Sequence, residues 1–196
     1  PPRSTLFPYT TLFRSMTHAY QEESQLLPND LALMNVSEIT DTLSLMYSDY
    51  FWSPKISFAG LLDLPDDQGE TKSQGPVMAY GVDFLSQDSR QYELWELEKR
   101  IVSGRMIQNV DDALVGTKLA EKLGLSLGDQ VTYIGTTMNN AFTTFNFTVV
   151  GTFNLGMGPL DKQMMLVDID GARMALDMDR SEERRVGKEC RSRWPP

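Results

Sequence analysis

The two ends of the chain are related to each other through the genetic code, and this relation limits which residues can belong to a natural fold. Residues 1–15 read forward and residues 180–194 read backward have codons that are compatible with reverse complements at every position. Cys190 pairs in this way with Thr5, and Trp194 pairs with Pro1. Because chance does not produce such a run, we infer that one DNA sequence was translated in both orientations. The natural fold is therefore predicted to lie within residues 16–179.

Both end segments resemble the translation of a short adapter used in DNA sequencing. Residues 1–15 and 180–196 are accordingly interpreted as adapter-derived and are set aside, as fusion scars are in fold prediction. A signal peptide at the start would need an apolar core and a small-residue cleavage site, which this segment lacks. A basic tail at the end would suit acidic partners, but it would not explain the antisense relation. We expect both segments to pack poorly.

The remaining segment, residues 16–179, is strongly acidic. The whole chain has 18 Lys and Arg residues and 27 Asp and Glu residues, of which eight basic and three acidic ones lie in the two end segments. Residues 16–179 therefore carry 10 basic and 24 acidic residues, a net charge of −14. Nucleic-acid binding depends on contacts between Lys or Arg and phosphate, so this composition argues against a nucleic-acid partner.

The same segment contains no cysteine, since the only one in the chain is Cys190. A disulfide framework, a thiol nucleophile and a thiolate metal site are therefore excluded for residues 16–179. The length of the segment suits one domain or two small lobes. It contains no run of about 18 apolar residues of the kind that spans a membrane.

The spacing of apolar residues predicts a mixed order of helices and strands. An apolar residue every three or four positions from Val36 to Tyr50 predicts a helix, and Asn35 with Glu38 resembles a capping box at its start. Further helices are predicted over residues 91–102, 117–123 and 170–178. Strands are predicted over residues 56–64, 77–82, 113–115, 130–134, 142–153 and 163–168, with a polar loop over residues 65–75. This order predicts an α+β fold with a mixed sheet or sheets and helices packed on one side.

Three local features add detail to these elements. Gly124 follows the predicted helix 117–123 and suits the left-handed position that ends many helices. Glu96 and Arg100 have the spacing of an ion pair within helix 91–102. The apolar alternation of strand 142–153 slips at Val150 and Gly151, which predicts a β-bulge.

Residues 104–176 carry glycine, leucine and aspartate positions in an order that one protein family shares. The run begins at Gly104, passes through LVGTKLAEKLGLSLGDQV and ends in FTVVGTF and LVDIDGARMAL. This order resembles the extracytoplasmic core domain of MacB-like ABC-transporter permeases, which include the lipoprotein-releasing permeases. The positions that carry the resemblance are Gly104, Gly116, Leu119, Ala120, Leu123, Gly124, Gly128, Asp129, Val131, Val150 and Gly151.

The resemblance implies a domain held between the first two transmembrane helices of a permease, on the periplasmic or extracellular side of a bacterial inner membrane. Such a permease works with an ABC ATPase subunit, with a second permease copy or paralogue, and with a lipoprotein or periplasmic partner. The domain couples motion or handles partners and substrate rather than performing chemistry. The glycine positions are expected to serve tight turns. The membrane helices and the last part of the family domain are expected to lie outside this sequence.

Few residues suggest chemistry. Gly116-Thr117-Lys118 lies between a predicted strand and a predicted helix, but without a glycine-rich loop it is interpreted as an ordinary turn rather than a phosphate site. Asp168 and Asp170 do not fit the register of a calcium loop, and a helix-capping role is predicted instead. No catalytic, cofactor-binding or metal-binding residue is predicted.

Two alternatives remain open at the level of sequence. The first is a soluble α+β enzyme, in which Asp66-Asp67 or Asp111-Asp112 would act as general acid and base or as metal ligands. These pairs fall in predicted loops and have the character of solvated turns. The second is a division-type relative of the same permeases, which would regulate cell-wall hydrolases.

Overall fold

The computed structural model describes residues 15–178, except for residues 28, 34, 157 and 159. Almost all of the two predicted adapter segments lies outside the described residues, so their expected poor packing stays a prediction. The strands of the described part are β1 (Lys55–Pro65), β2 (Thr71–Val82), β3 (Ile101–Gly104), β4 (Asp112–Gly116), β5 (Gln130–Thr136), β6 (Phe142–Phe153) and β7 (Met164–Asp168). The α-helices are α1 (His18–Glu22), α2 (Val36–Met46), α3 (Gln91–Leu94), α4 (Leu97–Arg100), α5 (Thr117–Leu123) and α6 (Ile169–Ala175). Short 3-10 helices cover Ser24–Leu26, Asn29–Leu31 and Leu160–Lys162.

Six of the strands form a closed ring. They follow one another in the order β6, β4, β7, β2, β1 and β5, and β5 pairs back with β6. The β2–β7 and β4–β6 pairs are parallel, and the other pairs are antiparallel. β3 pairs with β6 beside the ring. The predicted α+β fold with a mixed sheet is confirmed.

The inner face of the ring holds the larger of two apolar clusters. Alternate residues of its strands contribute to this cluster, because successive side chains of a strand lie on opposite faces. The largest of these side chains are Phe58, Leu62, Tyr133, Phe147 and Met165. The helices α5 and α6 add side chains to the same cluster: Leu119, Ala120, Leu123, Ala172, Ala175 and Leu176. Fully burying one such large apolar side chain contributes roughly 1.5–3 kcal/mol.

A second cluster covers the outer face of four strands. Val82, Leu114, Phe153 and Leu166 come from β2, β4, β6 and β7. The helices α3 and α4 cover them with Tyr92, Trp95 and Leu97, and the last of these is fully buried. Helices therefore pack on the sheet in two groups, α5 and α6 in the inner cluster and α3 and α4 in the outer one.

The structure corrects the prediction of one helix over residues 91–102. α3 ends at Leu94, Glu96 has a left-handed φ of 49°, and β3 begins at Ile101. Short helices gain little from their own hydrogen bonds, so pairing of Ile101 with Phe153 in β6 outweighs local helix propensity. The predicted pairing of Glu96 with Arg100 is present at 3.8 Å.

Three smaller predictions in the first half of the chain are also corrected. The helix that begins at Val36 is confirmed, but it ends at Met46 rather than near Tyr50. Asn35 forms no capping box, because its φ of 53° is left-handed and its side chain makes no capping hydrogen bond. The predicted loop 65–75 is shorter than expected, since β2 already begins at Thr71. Pairing with β1 extends this polar stretch into the sheet.

The pairing between β1 and β5 is one of the two shortest in the ring, and the other joins β4 to β7. Only Leu61–Asp63 pair with Thr132–Ile134. Tyr133 adds a further connection, because its hydroxyl donates a hydrogen bond to the Ala59 carbonyl oxygen at 3.0 Å. Its ring packs edge-on against Phe58 with 5.1 Å between the ring centroids. Burial raises the pKa of Tyr133 to about 12, so the phenol remains a donor throughout the physiological range.

We predict that Tyr133→Phe lowers the free energy of unfolding by about 1 kcal/mol, because the Ala59 carbonyl loses its side-chain donor. Urea denaturation followed by circular dichroism measures this difference. Tyr47→Phe is the matched control, since Tyr47 is 49% exposed, and it is expected to leave stability unchanged. Equal effects of the two substitutions would contradict a role for Tyr133 in closing the ring.

Candidate functional site

Several of the residues that carry the family resemblance lie close together where β6 bends. Ala113 of β4 pairs with Val149 and the next residue, Leu114, pairs with Gly151, so Val150 is the extra residue of a bulge. The predicted bulge at Val150 and Gly151 is confirmed. The Val150 carbonyl accepts a hydrogen bond from the Arg105 N–H at 2.9 Å. We call the residues around this bend, from Gly104 and Arg105 to Gly128, Asp129 and Gly151, the bulge junction.

Gly104 and Gly151 are paired across β3 and β6 at the centre of the bulge junction. Gly104 has a φ of 87°, and a Cβ there would overlap the Val150 carbonyl oxygen. A Cβ on Gly151 would meet the Arg105 carbonyl oxygen and the side chain of Leu114. The two backbones approach this closely because both positions lack a side chain.

The turn between α5 and β5 attaches to the same bend. The Gly128 N–H donates to the Val149 carbonyl at 2.8 Å, and the Val149 N–H donates to the Asp129 carbonyl at 2.9 Å. The Asp129 carboxylate accepts the Ser126 N–H at 2.8 Å and holds the turn in shape. Gly124 ends α5 with a φ of 67°, as predicted.

The segment Gly116-Thr117-Lys118 is a packing turn between β4 and α5. A Cβ on Gly116 would overlap the Asp161 carbonyl oxygen, so backbone already fills the space beside it. The Thr117 hydroxyl donates to the Phe153 carbonyl at 3.0 Å. Leu119 and Leu123 on α5 are buried in the inner cluster. An acceptor carbonyl in this place disfavours a phosphate group.

The environment of Asp112 differs from the one that the sequence predicts. It was expected in a solvated turn, but it is only 2% exposed. Its carboxylate accepts two hydrogen bonds from the Arg105 guanidinium, at 2.6 and 3.1 Å. The N–H groups of Gln108 and Asn109 donate to it at 2.8 and 2.9 Å. Arg105, seven positions before Asp112, is the signal in the sequence that could have indicated this arrangement.

The electrostatics of Asp112 suit a structural anchor. Burial alone would raise the pKa of its carboxyl group, but the Arg105 guanidinium and the two backbone N–H donors outweigh burial and lower this pKa. The carboxylate is therefore held charged and fully hydrogen-bonded within the loop that leads into β4. A general base needs free lone pairs directed at a substrate, which this geometry does not offer.

The other candidate carboxylates also bind backbone. Asp66 accepts the N–H groups of Gln68 and Glu70 at 2.9 Å each and closes the exposed turn between β1 and β2. Asp168 is 1% exposed and accepts the N–H groups of Asp170 at 2.9 Å and Phe84 at 3.0 Å. It caps α6, as predicted. Burial is the main reason that the pKa of Asp168 is raised.

Two further observations concern the described part of the chain. Within residues 15–178, leaving aside the four positions not described, no three His, Cys, Asp or Glu side chains lie close enough to hold a metal ion. None of the helices in this part is long and apolar enough to cross a membrane.

Comparison with known proteins gives likeness in structure but no match in sequence. No family model and no curated protein matches the chain. Among solved structures, the chain is similar to the extracellular domain of YknZ, a noncanonic ABC-type transporter from Gram-positive bacteria. The TM-score is 0.48 and the sequence identity is 15%, over 70% of this chain. The match spans 64% of the YknZ chain, which is less than two thirds of its length.

We predict that Asp112→Asn lowers the free energy of unfolding at pH 7 by about 2 kcal/mol, since a buried charge-assisted hydrogen-bond network is weakened. The lowered pKa means that the contribution of Asp112 is present above the unfolded-state value of about 3.9 and is lost as the pH falls through the folded-state value. The difference between wild type and variant should therefore shrink near pH 3.

Urea denaturation at both pH values measures this difference. Asp67→Asn is the matched control, because Asp67 is an exposed aspartate in the β1–β2 turn. It should change stability little at either pH. A loss for Asp112→Asn that is the same at pH 7 and pH 3 would show that shape rather than charge is responsible.

Proposed function

We propose that residues 16–179 form an extracytoplasmic domain of a bacterial ABC-transporter permease, and that the end segments are not part of the natural protein. The domain is non-catalytic in this proposal. It transmits motion, or handles partners and substrate, on the outer side of the cytoplasmic membrane during export or lipoprotein release.

The observation that carries the proposal is the ordered sequence resemblance through residues 104–176. In the structure, Gly104, Gly128, Asp129 and Gly151 of this run lie together in the bulge junction, although they are up to 47 positions apart. A set of residues that recurs across a family and meets at one backbone junction is expected when the family shares a fold rather than a reaction. We therefore propose that these residues, with Gly116, Leu119, Leu123 and Gly124, preserve the architecture of the permease domain.

The contacts of the acidic residues favour this function over an enzyme. Asp66, Asp112 and Asp168 each accept at least two backbone N–H groups. Their lone pairs are used in turns, loops and a helix cap, so they are unsuited to act as metal ligands or as acid–base groups. The acidic composition of residues 16–179 is also consistent with a domain that does not bind nucleic acid.

The proposed partners follow from the family. An ABC ATPase subunit would bind the membrane part of the permease, and a second permease copy or paralogue would complete the transporter. A lipoprotein or another periplasmic protein would contact the domain described here. The alternative within the same architecture is regulation of a cell-wall hydrolase.

Determining the natural gene on both sides of the segment that encodes residues 16–179 tests the proposal. We predict one transmembrane helix upstream, three downstream, and an adjacent gene for an ABC ATPase. A reading frame that encodes no transmembrane helix on either side would overturn the proposal.

The role of the domain is then tested with the full-length permease, purified in detergent together with its ATPase. Co-purification of a lipoprotein or an outer-membrane channel supports release or export. Co-purification of a hydrolase activator favours the division-type role instead. A version of the permease that lacks residues 55–178 is the control, since it should retain the ATPase and lose the external partner.

A further inference from the structure

The helix α2 and the residues after it expose a dense group of large apolar side chains. None of the residues Val36–Met46, all of which the structure describes, is buried. Leu45 is 86% exposed and Met46 is 66% exposed, and three aromatic residues follow with exposures of 43–49%. These aromatic residues are Tyr47, Tyr50 and Phe51. We call these five residues the α2 patch.

Two members of the α2 patch pack on one neighbouring ring. The rings of Tyr47 and Tyr50 each pack against Trp52, with 6.3 Å between centroids in both pairs. A shallow depression lined by Glu38, Ile39, Thr42 and Leu43 lies on the preceding turns of the same helix. The apolar stripe of α2 is half-buried at Val36 and Leu43, as is normal for an amphipathic helix, but the end of the helix leaves Leu45 and Met46 exposed. A contiguous group of exposed apolar side chains with a fixed arrangement is typical of an interaction surface.

The segment that carries the α2 patch is acidic, and the first Lys or Arg after it is Lys55. Residues 15–54 contain six acidic residues and no Lys or Arg. Glu38 lines the depression, Asp41 lies one turn before Leu45, and Asp49 lies inside the patch. None of these three carboxylates forms an ion pair with a residue in the described part of the chain.

The apolar side chains and the acidic residues together indicate which kind of partner the α2 patch can bind. An anionic lipid surface is repelled by the acidic residues, and a second copy of the chain would bring six more negative charges to the same place. A polypeptide with apolar side chains flanked by Lys and Arg matches both the apolar and the electrostatic character of the surface. We infer that the α2 patch is a docking site for a basic amphipathic polypeptide segment of another protein. The inference rests on the α2 patch and the acidic residues of its segment, and not on the permease assignment.

The binding of a synthetic amphipathic helix of leucine and lysine to the full chain tests the inference by isothermal titration calorimetry. We expect saturable binding that weakens as salt is added, because screening reduces the charge attraction. A helix of leucine and glutamate with the same apolar pattern, and a scrambled leucine–lysine peptide without an apolar face, are the peptide controls. Both should bind at least about tenfold more weakly, since each lacks one of the two complementary features.

Variants of the chain separate the two features. Leu45→Ser combined with Met46→Ser should weaken binding at least about tenfold, because two large apolar contacts are lost. Asp41→Asn combined with Asp49→Asn should weaken binding and reduce its salt dependence. Val102→Ser is the matched control, since Val102 is 61% exposed on β3 and lies outside the patch.

Four results would overturn the inference. The inference is wrong if no peptide binds, or if the acidic or scrambled peptide binds as tightly as the leucine–lysine helix. It is also wrong if Val102→Ser weakens binding as much as the patch variant does, or if the Leu45→Ser, Met46→Ser variant keeps its affinity.

Two further measurements address the other possible occupants of the α2 patch. Sedimentation that shows a dimer abolished by the patch variant would assign the surface to a second copy. Partitioning into phosphatidylcholine vesicles that the patch variant abolishes would assign it to lipid.

Discussion

The backbone of β6 bends at Val150, where the extra residue of a bulge lets one strand serve several partners. Its first half pairs with β5, and its second half pairs with β3 and β4. A bulge bends its strand and increases the local twist, and this one lies two residues after Thr148, where the β5 pairing ends and the β4 pairing begins. The closed ring, the inner cluster that it surrounds and the position of β3 all depend on this bend. The pairing of Gly104 with Gly151 makes it possible for the two backbones to approach.

The bulge junction gives many of the residues that the sequence singled out a structural task. The Arg105 N–H binds the Val150 carbonyl, while the Arg105 side chain binds Asp112 at the start of β4. One residue thus joins the bend of β6 to the loop that leads into the neighbouring strand. Buried polar groups that are fully hydrogen-bonded make a structure rigid, and a rigid ring suits a domain that transmits motion or presents a surface. The α2 patch, in contrast, lies outside the ring and carries exposed apolar and acidic groups.

The sequence predicted those features that local periodicity determines. Apolar periodicity and glycine placement are local signals. They correctly predicted strand 142–153, helix 117–123, the left-handed Gly124 and the bulge at Val150. The prediction of one helix over residues 91–102 was wrong, because Ile101 pairs with Phe153, which is 52 positions away and cannot be foreseen from local spacing. The buried Asp112 was missed for the same reason of distance, as its exposure depends on how the loop folds over β4. The closed ring itself depends on the β5–β6 and β1–β5 pairings, and no single segment encodes their register.

Native-state hydrogen exchange of the β6 amides tests the central role of the bend most directly. The N–H groups on the β5 side and on the β4 side of β6 are predicted to exchange through one global opening, with the same free energy. In Gly151→Ala, where the added Cβ meets the Arg105 carbonyl, both sets should lose protection by the same amount. If the amides facing β5 keep their protection while those facing β3 and β4 lose it, the two halves of the sheet are independent, and the account of a ring held by one bent strand is wrong.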